Sequence, residues 1–281
     1  MHYSTKAFRT IVYSFCLMMG LAACYSTEVA TAPSPDIALG NSALGNVLTG
    51  LAGKTLYFFA ADANGQSACA GACLEKWATF YSEKPLLGTG LTATDFSVIT
   101  RADGNKQTTF RGWPLYYYNA DSQRGDVGGD NLANRWYVAK SNYTVMIGSG
   151  QLLGNDGKQY TKDYKEGAGS TLYLTDGMGK TLYAFAFDKR GTNNYTKADL
   201  SNNGTWPLFQ DELKSIPSVL KASDFTRINT KATGQTQIAY KGWPIYYFGS
   251  DAGIRGVTKG VSFPRPGVWP IVYADSPEAP L

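Results

Sequence analysis

The chain is 281 residues long, 43% hydrophobic and 17% charged, which supplies ample apolar material for a core and an ordinary globular balance. Its formal net charge is only +4, and it holds one histidine, His2, and four cysteines. This disfavours nucleic-acid binding through a basic surface, Ser-His or Cys-His catalysis, and His-ligated metal or haem. Aromatic residues make up 14%, with 19 Tyr beside 31 Gly, a composition that favours strands joined by tight turns.

The first residues read as a secretion signal. Lys6 and Arg9 supply the positive region, residues 11–20 a short apolar region, and Leu21-Ala22-Ala23-Cys24 follows. The apolar stretch is too short to remain as a membrane span. Leu-Ala-Ala-Cys resembles the lipobox of bacterial lipoprotein signals, which implies cleavage before Cys24 and acylation of both its thiol and its new amino group. Several acyl chains anchor a protein stably where one does not. The expected location is therefore the cell envelope, lipid-anchored to a bacterial membrane, the outer one in a Gram-negative cell, facing periplasm or exterior. Cleavage removes His2, Lys6 and Arg9 and leaves the formal charge at +2. Residues 24–41 lack periodicity and include Ala32-Pro33-Ser34-Pro35, as a flexible tether does. Once Cys16 leaves with the signal and Cys24 takes the lipid, Cys69 and Cys73 remain, and in an oxidising compartment they are expected as a local disulfide. A redox or metal role for this pair is the alternative.

A first repeat domain is expected over residues 42–147. Val47-Leu48-Thr49 and residues 55–60 read as a hairpin, followed by the cysteine loop and a strand at residues 77–80. Residues 97–101, the turn Asp103-Gly104, then residues 107–110 and 114–118 read as strand, turn, strand and strand, and Trp136-Tyr137-Val138 as the last strand. A Gly, Lys and Asp-rich linker is expected over residues 148–169. A second domain over residues 170–281 repeats the order, pairing Tyr57 with Tyr183, Trp77 with Trp206, Phe96 with Phe225, Gln107 with Gln237, Tyr116 with Tyr246 and Trp136 with Trp269. The expected fold is all-β: two tandem duplicated antiparallel domains, each a small sandwich or barrel with an internal pseudo-two-fold repeat and able to fold alone. A four-bladed propeller-like closure is the alternative architecture.

One phrase organises both halves. It runs Gly53-Lys54-Thr55-Leu56-Tyr57-Phe58-Phe59-Ala60-Ala61-Asp62 and recurs from Gly112, Gly179 and Gly242, each time with a tyrosine, an aromatic two residues on and an aspartate five residues on. Alternate residues share a strand face, so the tyrosine and the second aromatic lie together while Leu56, Leu115, Leu182 and Ile245 face the other way. Asp62, Asp121, Asp188 and Asp251 fall just past each strand, where an aspartate caps a turn. A catalytic or metal role for these carboxylates is the sharper alternative, and Asp121, Asp126 and Asp130 form the one acidic group that suggests Ca²⁺.

A tyrosine, four residues and an aspartate, repeated behind a lipobox, with a Cys-x-x-x-Cys loop before Trp77 and the segment Gly112-Trp113-Pro114-Leu115-Tyr116-Tyr117, resemble the secreted-repeat bacterial lipoprotein family with the Y-x4-D motif. That family is of unknown function, so the resemblance implies no activity. Read from the residues, the protein is a non-catalytic envelope module, binding or structural, with no cofactor, no catalytic residue, no metal and no nucleic acid expected. Its expected partners are the membrane, through the lipid, and an envelope glycan or protein. Trp113 and Trp243, in matching Gly-Trp-Pro turns, are candidates for the contact surface; their other reading is cover over the core. A redox or electron-transfer accessory is the alternative function. A buried phenol needs an acceptor, and two copies related by a two-fold would exchange theirs. The expected contacts are Tyr57 with Asp121, Tyr116 with Asp62, Tyr183 with Asp251 and Tyr246 with Asp188.

Overall fold

The computed structural model describes residues 1–2 and 33–281. Within residues 34–281, which form one compact unit, every sheet pairing is antiparallel. None of the five sheets among the described residues closes on itself, so the barrel form is not seen. No helix among them is long and apolar enough to cross a membrane.

A hairpin of β1 (Ala38–Ser42) and β2 (Gly45–Thr49) leads in. The tether expected to reach residue 41 therefore ends earlier, because Ile37 is buried and carries the chain into β1. The expected pairing of residues 47–49 with 55–60 shrinks to one bridge, Thr49 with Thr55, because the turn at Leu51–Gly53 holds Ala52 at φ 57° and sends the chain off. Next, β3 (Leu56–Phe59) sits inside a sheet whose other strands are β4 (Trp77–Thr79), β8 (Tyr116–Tyr118) and β9 (Trp136–Val138), in the order β4-β8-β3-β9. Between them, β5 (Phe96–Thr100), β6 (Lys106–Phe110) and β7 (Trp113–Pro114) make a second sheet. Leu115 joins the two by accepting from Phe80 N–H and donating to Thr108 O.

The later half repeats this plan. It builds β13 (Tyr183–Ala184), β14 (Phe225–Asn229), β15 (Thr236–Tyr240) and β16 (Trp243–Tyr246) into one sheet of order β13-β16-β15-β14. Single bridges, Leu208 with Tyr246 and Tyr183 with Ile271, stand where β4 and β9 pair in the first half. A buried glutamine fixes each sheet corner: Gln107 Nε2 donates to Leu115 O at 2.8 Å and Gln237 Nε2 to Ile245 O at 2.7 Å.

Residues 148–169 are not a linker. Most of β10 (Val145–Leu153), with β11 (Gln159–Tyr160), lies there, and β10 pairs through residues 145–151 with β12 (Ser170–Asp176) and through Leu152 and Leu153 with β11. The glycines that suggested flexibility serve packing: a Cβ at Gly148 would lie 3.0 Å from Ala63 and from the Tyr173 ring. Nor are the halves separate bodies. One buried cluster takes Phe58, Trp113 and Tyr137 from the first half and Leu182, Trp206 and Trp269 from the second. Arg255 reaches across, donating to Ala63 O at 2.8 Å and Arg111 O at 2.9 Å, with its guanidinium over the Trp113 ring. Burial lowers its pKa to about 10.

Candidate functional site

In each half the two phrase strands pair with their tyrosines directly opposite, Tyr57 against Tyr116 in β3 and β8, and Tyr183 against Tyr246 in β13 and β16. A local two-fold therefore passes between the rings, and each phenol reaches the aspartate of the other strand. Tyr57 donates to Asp121 Oδ2 at 2.5 Å, Tyr116 to Asp62 Oδ2 at 2.6 Å, Tyr183 to Asp251 Oδ2 at 2.7 Å and Tyr246 to Asp188 Oδ2 at 2.7 Å. All eight residues are buried.

The second oxygen of each carboxylate works locally. Oδ1 of Asp62, Asp121, Asp188 and Asp251 accepts the backbone N–H of Ala68, Gly128, Asn194 and Lys259, at 2.7, 3.0, 2.7 and 3.0 Å. Turn capping and the cross-strand bond, both expected from the sequence, thus coexist, one on each oxygen. Two phenols receive a further backbone donor: Gly129 N–H reaches Tyr57 and Gly260 N–H reaches Tyr183, both at 3.3 Å. Only glycine permits that approach, since a Cβ would come within 2.9 Å of the Tyr57 ring or 2.6 Å of the Tyr183 ring. These glycines escaped the sequence reading; the available signal was a glycine eight or nine residues beyond the second aspartate of each half, Asp121 and Asp251.

Burial dominates the electrostatics. It raises Asp62, Asp188 and Asp251 to about 7, against the opposing pull of the phenol and backbone donors, and it holds all four tyrosines far above their usual range. A carboxyl that titrates near neutrality is what acid-base catalysis requires. Here, however, both oxygens of each carboxylate are engaged.

The aromatic two residues after each tyrosine has its own task. Trp77 and Trp136 stack at 3.7 Å between centroids and 3° between planes, and Trp206 and Trp269 at 3.6 Å and 8°. Phe59 and Tyr118 cover the two ends of the first pair, Phe185 and Phe248 those of the second. The phrase tyrosines meet the same indoles edge-on. Each half thus holds a four-ring column, built from the phrase and two tryptophans outside it.

Cys69 and Cys73 are bonded, with Cα atoms 5.4 Å apart, at the entry to the short helix α1 (Ala72–Lys76). Their loop is also held from beneath. The buried Arg101 donates to Cys69 O at 2.7 Å, to Gln107 Oε1 at 2.8 Å and to Ser67 Oγ, while Ser67 shares a 2.6 Å hydrogen bond with Tyr116. The cysteine-free loop of the second half uses Asn193 instead, whose amide donates to Gln237 and Thr196 at 2.9 Å.

Trp113 is buried and cannot be part of a contact surface, whereas Trp243 is partly exposed. Trp113 is 1% exposed, packed on Phe58 beneath Arg255; Trp243 is half-buried against the core and donates to Pro277 O. Trp113 is a member of the core cluster and Trp243 packs against it. The acids suggested for Ca²⁺ are separately employed: Asp121 holds Tyr57, Asp126 caps Ser122 and Gln123, and Asp130 accepts Val138 N–H. Among the described residues no group of three His, Cys, Asp or Glu side chains is placed to hold a metal. Cys24 lies outside the described residues.

A family profile described as a secreted repeat of unknown function matches three times, over residues 39–80, 97–140 and 227–272. Three of the four phrases fall in these segments; that of Tyr183 and Asp188 does not. No curated protein and no solved structure matches the chain.

Proposed function

From three segments that match a secreted repeat of unknown function, we propose that the chain is a non-catalytic module of the bacterial cell envelope, held to the membrane by acyl chains on Cys24 and meeting an envelope glycan or protein through its folded part. The observation that carries the non-catalytic reading is the equivalence of the four tyrosine-aspartate pairs. A catalytic dyad needs two carboxyls tuned apart and open to substrate. Four buried pairs, repeated by a local two-fold in each half and each with both carboxylate oxygens engaged, are instead what a fold requires of its own strands. The anchor reading rests on Leu21-Ala22-Ala23-Cys24 alone. Metabolic labelling with a fatty acid should mark the wild-type chain and leave Cys24→Ala unmarked and released from the membrane fraction. Equal labelling of both would remove the anchor from this account.

A further inference from the structure

The two halves differ at their open sheet edges, and the difference points to a partner. In the first half Arg101 N–H bonds Asn105 O at one end of the β5 and β6 ladder and Arg111 N–H bonds Asp95 O at the other. Ladder bonds therefore fall on residues 95, 97, 99 and 101, and Phe96, Val98 and Thr100 turn their N–H and C=O groups away from β6. Phe96 N–H is held by Ala93 O, but Phe96 O and both backbone groups of Val98 and Thr100 have no other partner among the described residues, and no further strand covers that edge. The equivalent edge is β14, where the same reasoning turns Phe225, Arg227 and Asn229 outward.

Sheet edges left open are normally blunted by charge, proline or a bulge. The β14 edge is blunted, with the exposed Arg227 at its centre. The β5 edge, Phe96-Ser97-Val98-Ile99-Thr100, is not: it has no charge, no proline and an unbroken register with β6. It is also self-complementary. Two antiparallel copies of β5 centred on Val98 would set Val98 against Val98 and Phe96 against Thr100, with no like charges facing, since Asp95 is paired with Arg111 of its own chain and the Arg101 guanidinium is turned inward. The same join at β14 would set Arg227 against Arg227, which is repulsive.

We propose that two copies of this chain associate through β5, related by a two-fold axis at Val98, and that Arg227 keeps β14 out of such pairing. One strand pair buries less than the roughly 1,000 Å² of a stable interface. The association is therefore weak in solution and is strengthened where copies share a membrane. Only that strengthening rests on the lipid anchor.

The test uses the purified full chain at high concentration with a mild thiol oxidant, so that its outcome is independent of anchoring. Facing residues of a hydrogen-bonded antiparallel pair lie about 5.5 Å apart, within reach of a disulfide. Val98→Cys should yield a dimer whose peptides are joined through position 98 of both copies, identified by mass spectrometry, while Arg227→Cys should yield several-fold less through position 227. Val98→Arg should lower the dimer fraction in sedimentation without moving the melting temperature. No joining through position 98, equal joining at both positions, an unchanged dimer fraction in Val98→Arg, or capture at position 98 in cells of a different protein would each overturn the proposal.

Discussion

A single aspartate in this protein carries two duties that are usually divided. Oδ2 accepts a phenol from across the sheet and Oδ1 accepts a backbone N–H from its own loop, so Asp188, for example, ties Tyr246 to Asn194. Burial raises Asp62, Asp188 and Asp251 to about 7. Between about pH 4 and 7 the native state thus binds more protons than the unfolded chain, and stability falls as pH rises through that window. The surface acids Glu83, Asp103, Asp126 and Asp156, held below their usual range by hydrogen bonds and Lys106, act in the opposite sense as pH drops below about 4.5. Urea midpoints should therefore be highest between about pH 4.5 and 6 and lower at pH 8. A midpoint that climbs steadily to pH 8 would show that the buried acids ionise freely in the fold.

At the scale of elements, what was legible in the sequence was whatever the phrase repeats, and what was lost depended on distant partners. Reciprocal exchange between Tyr57 and Tyr116 could be read because duplication implies a two-fold and a buried hydroxyl needs an acceptor. The strand over Gly148 and Gly150 could not, since its glycines signal flexibility until Tyr173 and Ala63 are seen packed against Gly148. Trp113 misled because a Gly-Trp-Pro turn suggests exposure, while its cover comes from Phe58 and from Arg255, remote in sequence. The disulfide loop shows how a local staple ranks against a buried network. Closing so short a loop contributes about 2 kcal/mol, whereas Arg101 makes several charged hydrogen bonds from a buried position, each contributing about 1.5 to 3 kcal/mol. Arg101→Met should therefore destabilise more than Cys69→Ser with Cys73→Ser, compared by chemical denaturation. The reverse order would mean that the disulfide alone holds this corner.

At the scale of the whole molecule, the duplicated halves have become interdependent. Cutting within residues 148–169 would part β10 from β12, expose the shared core around Phe58, Trp113 and Trp206, and leave Arg255 without its acceptors. Fragments 33–147 and 170–281 are expected to lack a cooperative melt when alone, contrary to what duplication by itself suggests; two independent sharp transitions in calorimetry would restore separate domains. The central claim is that the tyrosine-aspartate pairs are locks of one cooperative fold, and double-mutant cycles on the intact chain test it most directly. Tyr57→Phe with Asp121→Asn, and Tyr246→Phe with Asp188→Asn, should each lower a single shared unfolding transition, with a coupling energy of about 1 to 3 kcal/mol within each pair. Additive effects within a pair, or separate transitions that each respond to one pair alone, would contradict the account.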